Sequence, residues 1–191
     1  MVALRWTGTP GSRMATQRCR CGHGGLGRGA CGRAPRCIQS YQSRVSGPLL
    51  DRIDLRIEVP PVTAADLSLP PPAEGSAEVA SRVAQARALQ EDRAAAAGDG
   101  GGEINARAQG AWLDKIAALD EPARALLSRA AEAGGLTARG WSRTLRLART
   151  IADLEGATAV RRVHVAEALI YRGSASKMGE GFVSGGRETV G

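Results

Sequence analysis

The stretch "SGPLLDRIDLRIEVP" at residues 46–60 sets Arg52 between Asp51 and Asp54. A guanidinium is planar, permanently charged and shaped to grip a phosphate or a carboxylate through two parallel hydrogen bonds. Taken alone, the triplet reads as a surface arginine paired with its neighbouring carboxylates. A second group able to do chemistry lies upstream, where Cys19, Cys21, Cys31 and Cys37 follow the spacing C-x-C-x9-C-x5-C. The N-terminus lacks the apolar core of a signal peptide, and clustered cysteines without a secretory signal favour a metal site over a disulfide framework. Zinc-binding cysteine pairs usually sit about two to four residues apart, so that a tight turn brings both thiolates to one tetrahedral ion; this spacing departs from that rule. His23, in "CGHGG", offers a further ligand beside a glycine-rich turn. The competing reading is four unbound thiols in a poorly ordered arm.

Elements must hold these residues in place. "IDLRIEV" alternates Ile53, Leu55, Ile57 and Val59 with Asp54, Arg56 and Glu58, the period-two pattern of a strand with one buried face, and Pro60 and Pro61 end it. Beyond a proline-rich linker, Val79, Val83, Ala86 and Leu89 fall at helical spacing, with Ser76 as the expected cap. "DEPARALLSRAAEAGG" carries an aspartate cap, a proline in the first turn, an inner stripe of Leu126, Leu127 and Ala130, and a Gly134-Gly135 stop. "TARGWSRTLRLARTIADLEG" has Leu145, Ala148, Ile151, Ala152 and Leu154 on its apolar side and ends at Gly156. Its arginines, Arg139, Arg143, Arg146 and Arg149, read most simply as a solvated face. "RVHVAEALIYR" is a last short helix, in which His164 is expected to pack or cap rather than to ligate. Trp112 and Trp141 are assigned to the helical core.

Composition sets the outer limits. The 191 residues suffice for one ordinary domain, or one domain and part of another. Only six residues are aromatic, so the core must come from Ala, Leu, Val and Ile, which suits helices. Residues 1–50 hold eight arginines and no acidic residue, whereas the remainder is nearly balanced, so the net charge of +7 is an N-terminal property. Arginine and glycine without interleaved aromatics supply the electrostatic half of a nucleic-acid signature but not its stacking half. No apolar run approaches the roughly 20 residues of a membrane span, and the cytoplasm is the default address.

"YQSRVSGPLLDRIDLRIEVP", "TARGWSRTLRLARTIADLEG" and "VHVAEALIYR" together resemble the C-terminal portion of the magnesium-chelatase-like AAA+ ATPases, the group that includes ComM and YifB. The resemblance covers roughly residues 15–172, in the order the family uses. The family pattern begins with an asparagine-proline pair, continues with C-P-C-G and, nine residues on, C-x-C, and then reaches a tyrosine ahead of the SGPLLDRID element. Cys19, Cys21, Gly22, Cys31, Pro35 and Tyr41 fall in register with it. Gln17 stands where the family has the asparagine that senses the γ-phosphate, Arg18 where it has proline, and Arg33 where it has the fourth cysteine. Cys37 follows four residues later, and either it or His23 would have to complete a zinc site.

The resemblance implies roles. Arg52 corresponds to the arginine finger that one ring subunit offers in trans to its neighbour's nucleotide, with Asp51 and Asp54 orienting it. Arg139, or Arg143 one turn on, corresponds to the lid sensor that reaches the phosphates within a subunit. ATP and Mg2+ are the implied cofactors, yet the sequence contains no G-x-x-x-x-G-K-[ST]. Lys115 in "LDKIA" and Lys177 in "SKMGE" cannot serve that purpose, and no acidic strand end precedes residue 17.

The expected organisation is mainly α. A basic, cysteine-containing arm (1–40) leads into a remnant of an AAA+ α/β core with one strand (41–62). A linker (63–75), a helical lid bundle (76–172) and a disordered tail (173–191) follow. Two functions follow from it. One is the C-terminal part of a ring-forming ATPase that remodels DNA, as in ComM branch migration, and does not hydrolyse ATP alone. The other is a stand-alone, non-catalytic module that binds nucleic acid or an AAA+ partner. Ring subunits, in the family a homo-oligomer, are the expected partners and DNA a further one; no membrane is implied.

Overall fold

A computed structural model of the chain describes residues 15, 19–21, 31–59, 62–71, 73–98, 104–133 and 136–173. Two compact units divide between Leu50 and Asp51.

In the first unit, α1 covers Arg36–Gln42. The helix α2, Gly47–Arg52, crosses the division between the units. Ser46 starts it, its hydroxyl accepting from the Leu49 N–H at 3.3 Å, and Pro48 supplies a fixed φ in the first turn, where its missing N–H has no helical partner to lose. Arg52 closes it, a cation at the negative end of the helix dipole.

In the second unit, residues 53–59 do not form the expected strand. Among the described residues the one pairing of strand type is an isolated parallel bridge between Leu119 and Val160. The period-two pattern is real, but a strand exists only where a neighbour completes its ladder. Here the Arg56 N–H bonds instead to the Tyr171 carbonyl at 2.7 Å, on helix rather than strand backbone. Leu55, Ile57 and Val59 consequently stand exposed, at 47%, 70% and 83%. Downstream, Asp66 folds back on Thr63, accepting from its N–H and its hydroxyl at 2.7 Å each, and this closes a short 3-10 turn at Asp66–Ser68.

The helical bundle is as expected. Helix α3, Ser76–Ala96, begins one residue earlier than expected: Gly75, not Ser76, is the N-cap, and the Glu78 carboxylate accepts from the Gly75 N–H at 2.9 Å. Its buried positions are Ala86 and Gln90, not the stripe of Val79, Val83 and Leu89, which stays partly exposed. The reason is the surface it meets: α3 packs on α6, and its inward residues serve a polar cluster there. Helix α4, Gly110–Ile116, buries Leu113 and Ile116. In α5, Glu121–Glu132, Asp120 caps by accepting from the Ala123 N–H at 2.8 Å, and Ala123, Leu126, Leu127 and Ala130 face inward. Gly134 and Gly135 lie outside the described residues.

Helix α6, Ala138–Leu154, is the spine, touching α3, α4 and α7. Thr137 caps it, its hydroxyl oxygen accepting from the Gly140 N–H at 3.0 Å, and Gly156 ends it with φ of 73°. Leu145, Ala148 and Ala152 are buried as expected, Ile151 is partly buried, and Leu154 is exposed. Helix α7, Arg162–Tyr171, packs on α5 and α6. The core is thus Leu, Ala, Val and Ile, with Trp112 and Trp141 partly buried against it. No helix among the described residues is long and apolar enough to cross a membrane.

Candidate functional site

The segment that follows α2 is fastened to the bundle by its backbone and its acidic side chains. Arg172, only 5% exposed, donates to the carbonyl of Ile53 at 3.2 Å and to that of Asp51 at 3.5 Å, and its guanidinium lies 3.6 Å from the Asp51 carboxylate. Burial pushes the Arg172 guanidinium down, while Asp51 and then Asp54 oppose that shift. The Thr137 hydroxyl that caps α6 also donates to Asp51, at 3.0 Å. Asp54 forms an ion pair with Arg143, one turn into α6. Together with the Arg56–Tyr171 bond, these contacts tie residues 51–56 to the first turns of α6 and the last turn of α7.

Arg52 sits inside this clamped segment and is exposed. Asp51 contacts Thr137 and Arg172, and Asp54 contacts Arg143. These contacts of the two carboxylates hold the backbone that carries Arg52.

The four arginines of α6 are not one solvated face. Arg139, in the first turn, is exposed. Arg143 is taken up by Asp54, and Arg146 donates to the Ala108 carbonyl at 2.7 Å. Arg149 is 1% exposed and bonds to Asp153 and to the carbonyls of Thr158 and Ala157. Asp153 also receives Arg93 of α3 and Asn105, and Asn105 reaches Thr150 at 3.2 Å. This network was not foreseen. Arg149 and Asp153 stand at i and i+4, which in sequence looks like any exposed helix pair; only the burial tells them apart.

His164 is buried and caps, as expected: its Nδ1 accepts from the Arg161 N–H at 2.9 Å and its Nε2 pairs with Glu155. The Glu155 carboxyl is held below its ordinary value by His164 first and by Arg161 next. Lys115 lies on α4, its ammonium 5.9 Å above the Trp112 ring.

In the first unit, the sulfurs of Cys19, Cys21, Cys31 and Cys37 all lie within 4.8 Å of one another. Cys19 is fully buried and its sulfur is 3.0 Å from that of Cys21. The Cys19 thiol is pushed up by its hydrogen bond with Cys21 and by burial. That of Cys31 is pushed up to about 11, against the pull of the Arg33 backbone, by Cys21, burial and Cys37. A tetrahedral ion with metal–sulfur bonds of about 2.3 Å sets its sulfurs ~3.8 Å apart, so four thiolates placed here fit such an ion with small adjustments. Cys37 lies with the other three sulfurs. His23 and Gln17 lie outside the described residues.

Comparison with known proteins now places the fold. Residues 12–67 match the model for magnesium chelatase, subunit ChlI, and residues 73–172 the model for its C-terminal region. The chain belongs to the magnesium-chelatase-like family, and within it resembles the ComM and YifB proteins. It is 37% identical over 140 residues to competence protein ComM of Haemophilus influenzae, covering 73% of this chain and 26% of ComM. It is 37% identical over 141 residues to YifB of Salmonella typhimurium, covering 69% and 25%. An uncharacterized protein of Mycobacterium tuberculosis is 36% identical over 132 residues. The chain spans about a quarter of the curated relatives it matches. The bundle formed by α3 to α7 is the family's C-terminal helical lid domain.

Proposed function

We propose that the chain is the C-terminal, nucleotide-responsive part of a magnesium-chelatase-like AAA+ motor, and that Arg52 is its arginine finger in trans. The observation that carries this reading is the clamp on residues 51–56, which holds the backbone on both sides of an exposed arginine to the helical lid. A finger must reach a neighbour's γ-phosphoryl oxygens in a fixed orientation, because stabilisation comes from charge placed before the reaction. The same contacts give Arg52 a route to the lid, so that nucleotide sensed by the lid would shift the finger.

Of the two lid sensor candidates, Arg139 is favoured, since Arg143 is held by Asp54. These 191 residues contain no P-loop, so ATP and Mg2+ would be held by a P-loop outside them. Zinc suits the four cysteines, where it would join Cys19 and Cys21 to Cys31 and Cys37 as a structural tie. DNA remodelling in a ring, the activity the resemblance implies, is the setting in which these parts would work, with the cytoplasm as the compartment.

The test mixes this chain with a full-length ComM-type ATPase whose own corresponding arginine has been changed to alanine. Addition of the chain should raise the ATPase rate by roughly tenfold or more, a part of the ~10³–10⁵ that a finger supplies. Arg52→Ala should return the rate to baseline. Equal stimulation by Arg52→Ala would remove the finger from Arg52.

The eight arginines and absent acids of residues 1–50 favour one further reading, a non-catalytic module that binds nucleic acid or an AAA+ partner. In that case binding to DNA needs no nucleotide, falls steeply with salt, survives Arg52→Ala and is lost when residues 1–40 are deleted.

A further inference from the structure

The end of α7 holds the main chain around Arg52. The Arg172 guanidinium spreads its two terminal nitrogens over two peptide groups: one donates to the carbonyl of Asp51 at 3.5 Å, the other to that of Ile53 at 3.2 Å. Those carbonyls belong to the residues immediately before and after Arg52. One residue back along α7, the Tyr171 carbonyl accepts from the Arg56 N–H at 2.7 Å, and Gly173 turns the chain away with φ of 69°. Thr137 and Arg143, at the start of α6, take the side chains of Asp51 and Asp54 instead.

Stability gives a poor reason for an arginine at position 172. The side chain is buried, and its Nε meets no acceptor among the described residues. A buried charge stabilises a fold only when its geometry and its hydrogen bonds are complete. The Asp51 carboxylate stands 3.6 Å from the guanidinium, beyond hydrogen-bond length, and takes its bond from the Thr137 hydroxyl. What a guanidinium offers, and neither an apolar side chain nor an ammonium does, is a rigid planar fork with donors at a fixed spacing. Here the fork spans Arg52.

We propose that Arg172 is the positioning residue of Arg52, its fork anchoring the peptide groups on both sides so that the Arg52 side chain leaves the end of α2 in one direction. With those groups anchored, the soft dihedrals of Arg52 lie between two fixed peptide planes. This role rests on the reading of Arg52 as a finger. It adds that the pose of the finger is set from the end of α7, and that Arg172 is kept for that pose more than for the stability of the bundle.

The test uses the full-length ComM-type ATPase whose own corresponding arginine is alanine, stimulated by this chain at increasing concentration. Arg172→Met removes the fork and keeps an unbranched side chain. It should lower the stimulated rate at saturating chain by about threefold or more, since a small misplacement can cost up to ~10²-fold, and leave the half-saturating concentration within about twofold. Arg172→Lys, with the same charge and no fork, should restore less than about half of the lost rate. Hydrogen exchange of the chain by itself supplies a readout without a partner. In Arg172→Met the Arg56 amide should exchange about tenfold faster or more, while the amides of α5 and α6 keep their protection.

Full stimulation by Arg172→Met, a rise in half-saturating concentration alone, or an unchanged Arg56 amide overturns the proposal. Full rescue by lysine does so as well, because charge would then be the whole contribution. Loss of protection in α5 and α6 would show that Arg172 serves the fold, and overturns it too. The two readings separate at Arg52→Ala. If that variant stimulates as well as the wild type, the finger assignment fails and this role falls with it; if it is silent while Arg172→Met stimulates fully, only the positioning role is lost.

Discussion

Arg149 and Asp153 show what burial does to an ordinary helix pair. Both are at most 2% exposed, and Asp153 alone answers for two guanidinium groups, those of Arg149 and Arg93. Removing one partner of a buried pair leaves the other charged without water, which costs far more than the pair contributes. Asp153→Ala is expected to destabilise the bundle by about 3–5 kcal/mol, measured as the shift in the urea midpoint. A loss under ~1 kcal/mol would mean that the arginines reach solvent when Asp153 is gone. Arg139→Ala, on the exposed first turn of the same helix, should stay within about 0.5 kcal/mol. The contrast separates an arginine kept for architecture from one available to a ligand. At Glu155 the expected effect depends on pH. Its carboxyl is depressed by His164 and Arg161, so its stabilisation is present above the ordinary carboxylate pKa and is lost as pH falls through the lowered value. Glu155→Gln should therefore lower the melting temperature at neutral pH and converge with the wild type in acid.

At the scale of elements, caps and stripes were legible and partners were not. Asp120 caps α5, and Leu126, Leu127, Leu145 and Ala148 lie inside, because an i, i+3, i+4 pattern and a capping side chain act within a few residues, although the cap of α3 falls at Gly75 and not at Ser76. The strand at 53–59 and the apolar stripe on α3 were misplaced because each depends on what lies opposite. Residues 53–59 have no strand beside them among the described residues, and α3 meets the polar Asp153 cluster, which is drawn from positions up to 60 apart in the chain. The clamp on Arg52 was hidden for the same reason, since Thr137 and Arg143 are 86 and 89 residues from Asp51 and Asp54. Thr137 joins the two kinds of information, for it both caps α6 and holds Asp51. Thr137→Ala should cost about 1 kcal/mol, as should Asp120→Ala. Only the first should also reduce Arg52-dependent stimulation of a partner's ATPase. Equal effects of the two on stimulation would mean that the clamp transmits nothing beyond lid stability.

Across the whole molecule, the two units rest on different sources of cohesion. The second has a continuous core of fifteen buried apolar residues from α4 to α7 and the segments between them. In the first, Cys19 is the single buried residue among those described, and α1 buries none. With no apolar core among its described residues, the unit would need another source to offset the entropy of ordering its chain, and a metal held by four thiolates would supply it, since its binding free energy would become folding free energy. The chain should accordingly purify with close to one zinc per molecule. Removing that zinc with a strong chelator should erase hydrogen-exchange protection in α1 while the amides of α5, α6 and α7 keep theirs. Cys37→Ser should behave like the chelated protein. If α1 keeps its protection after the metal is gone, the four cysteines are not what orders the first unit, and its stability must come from residues outside those described.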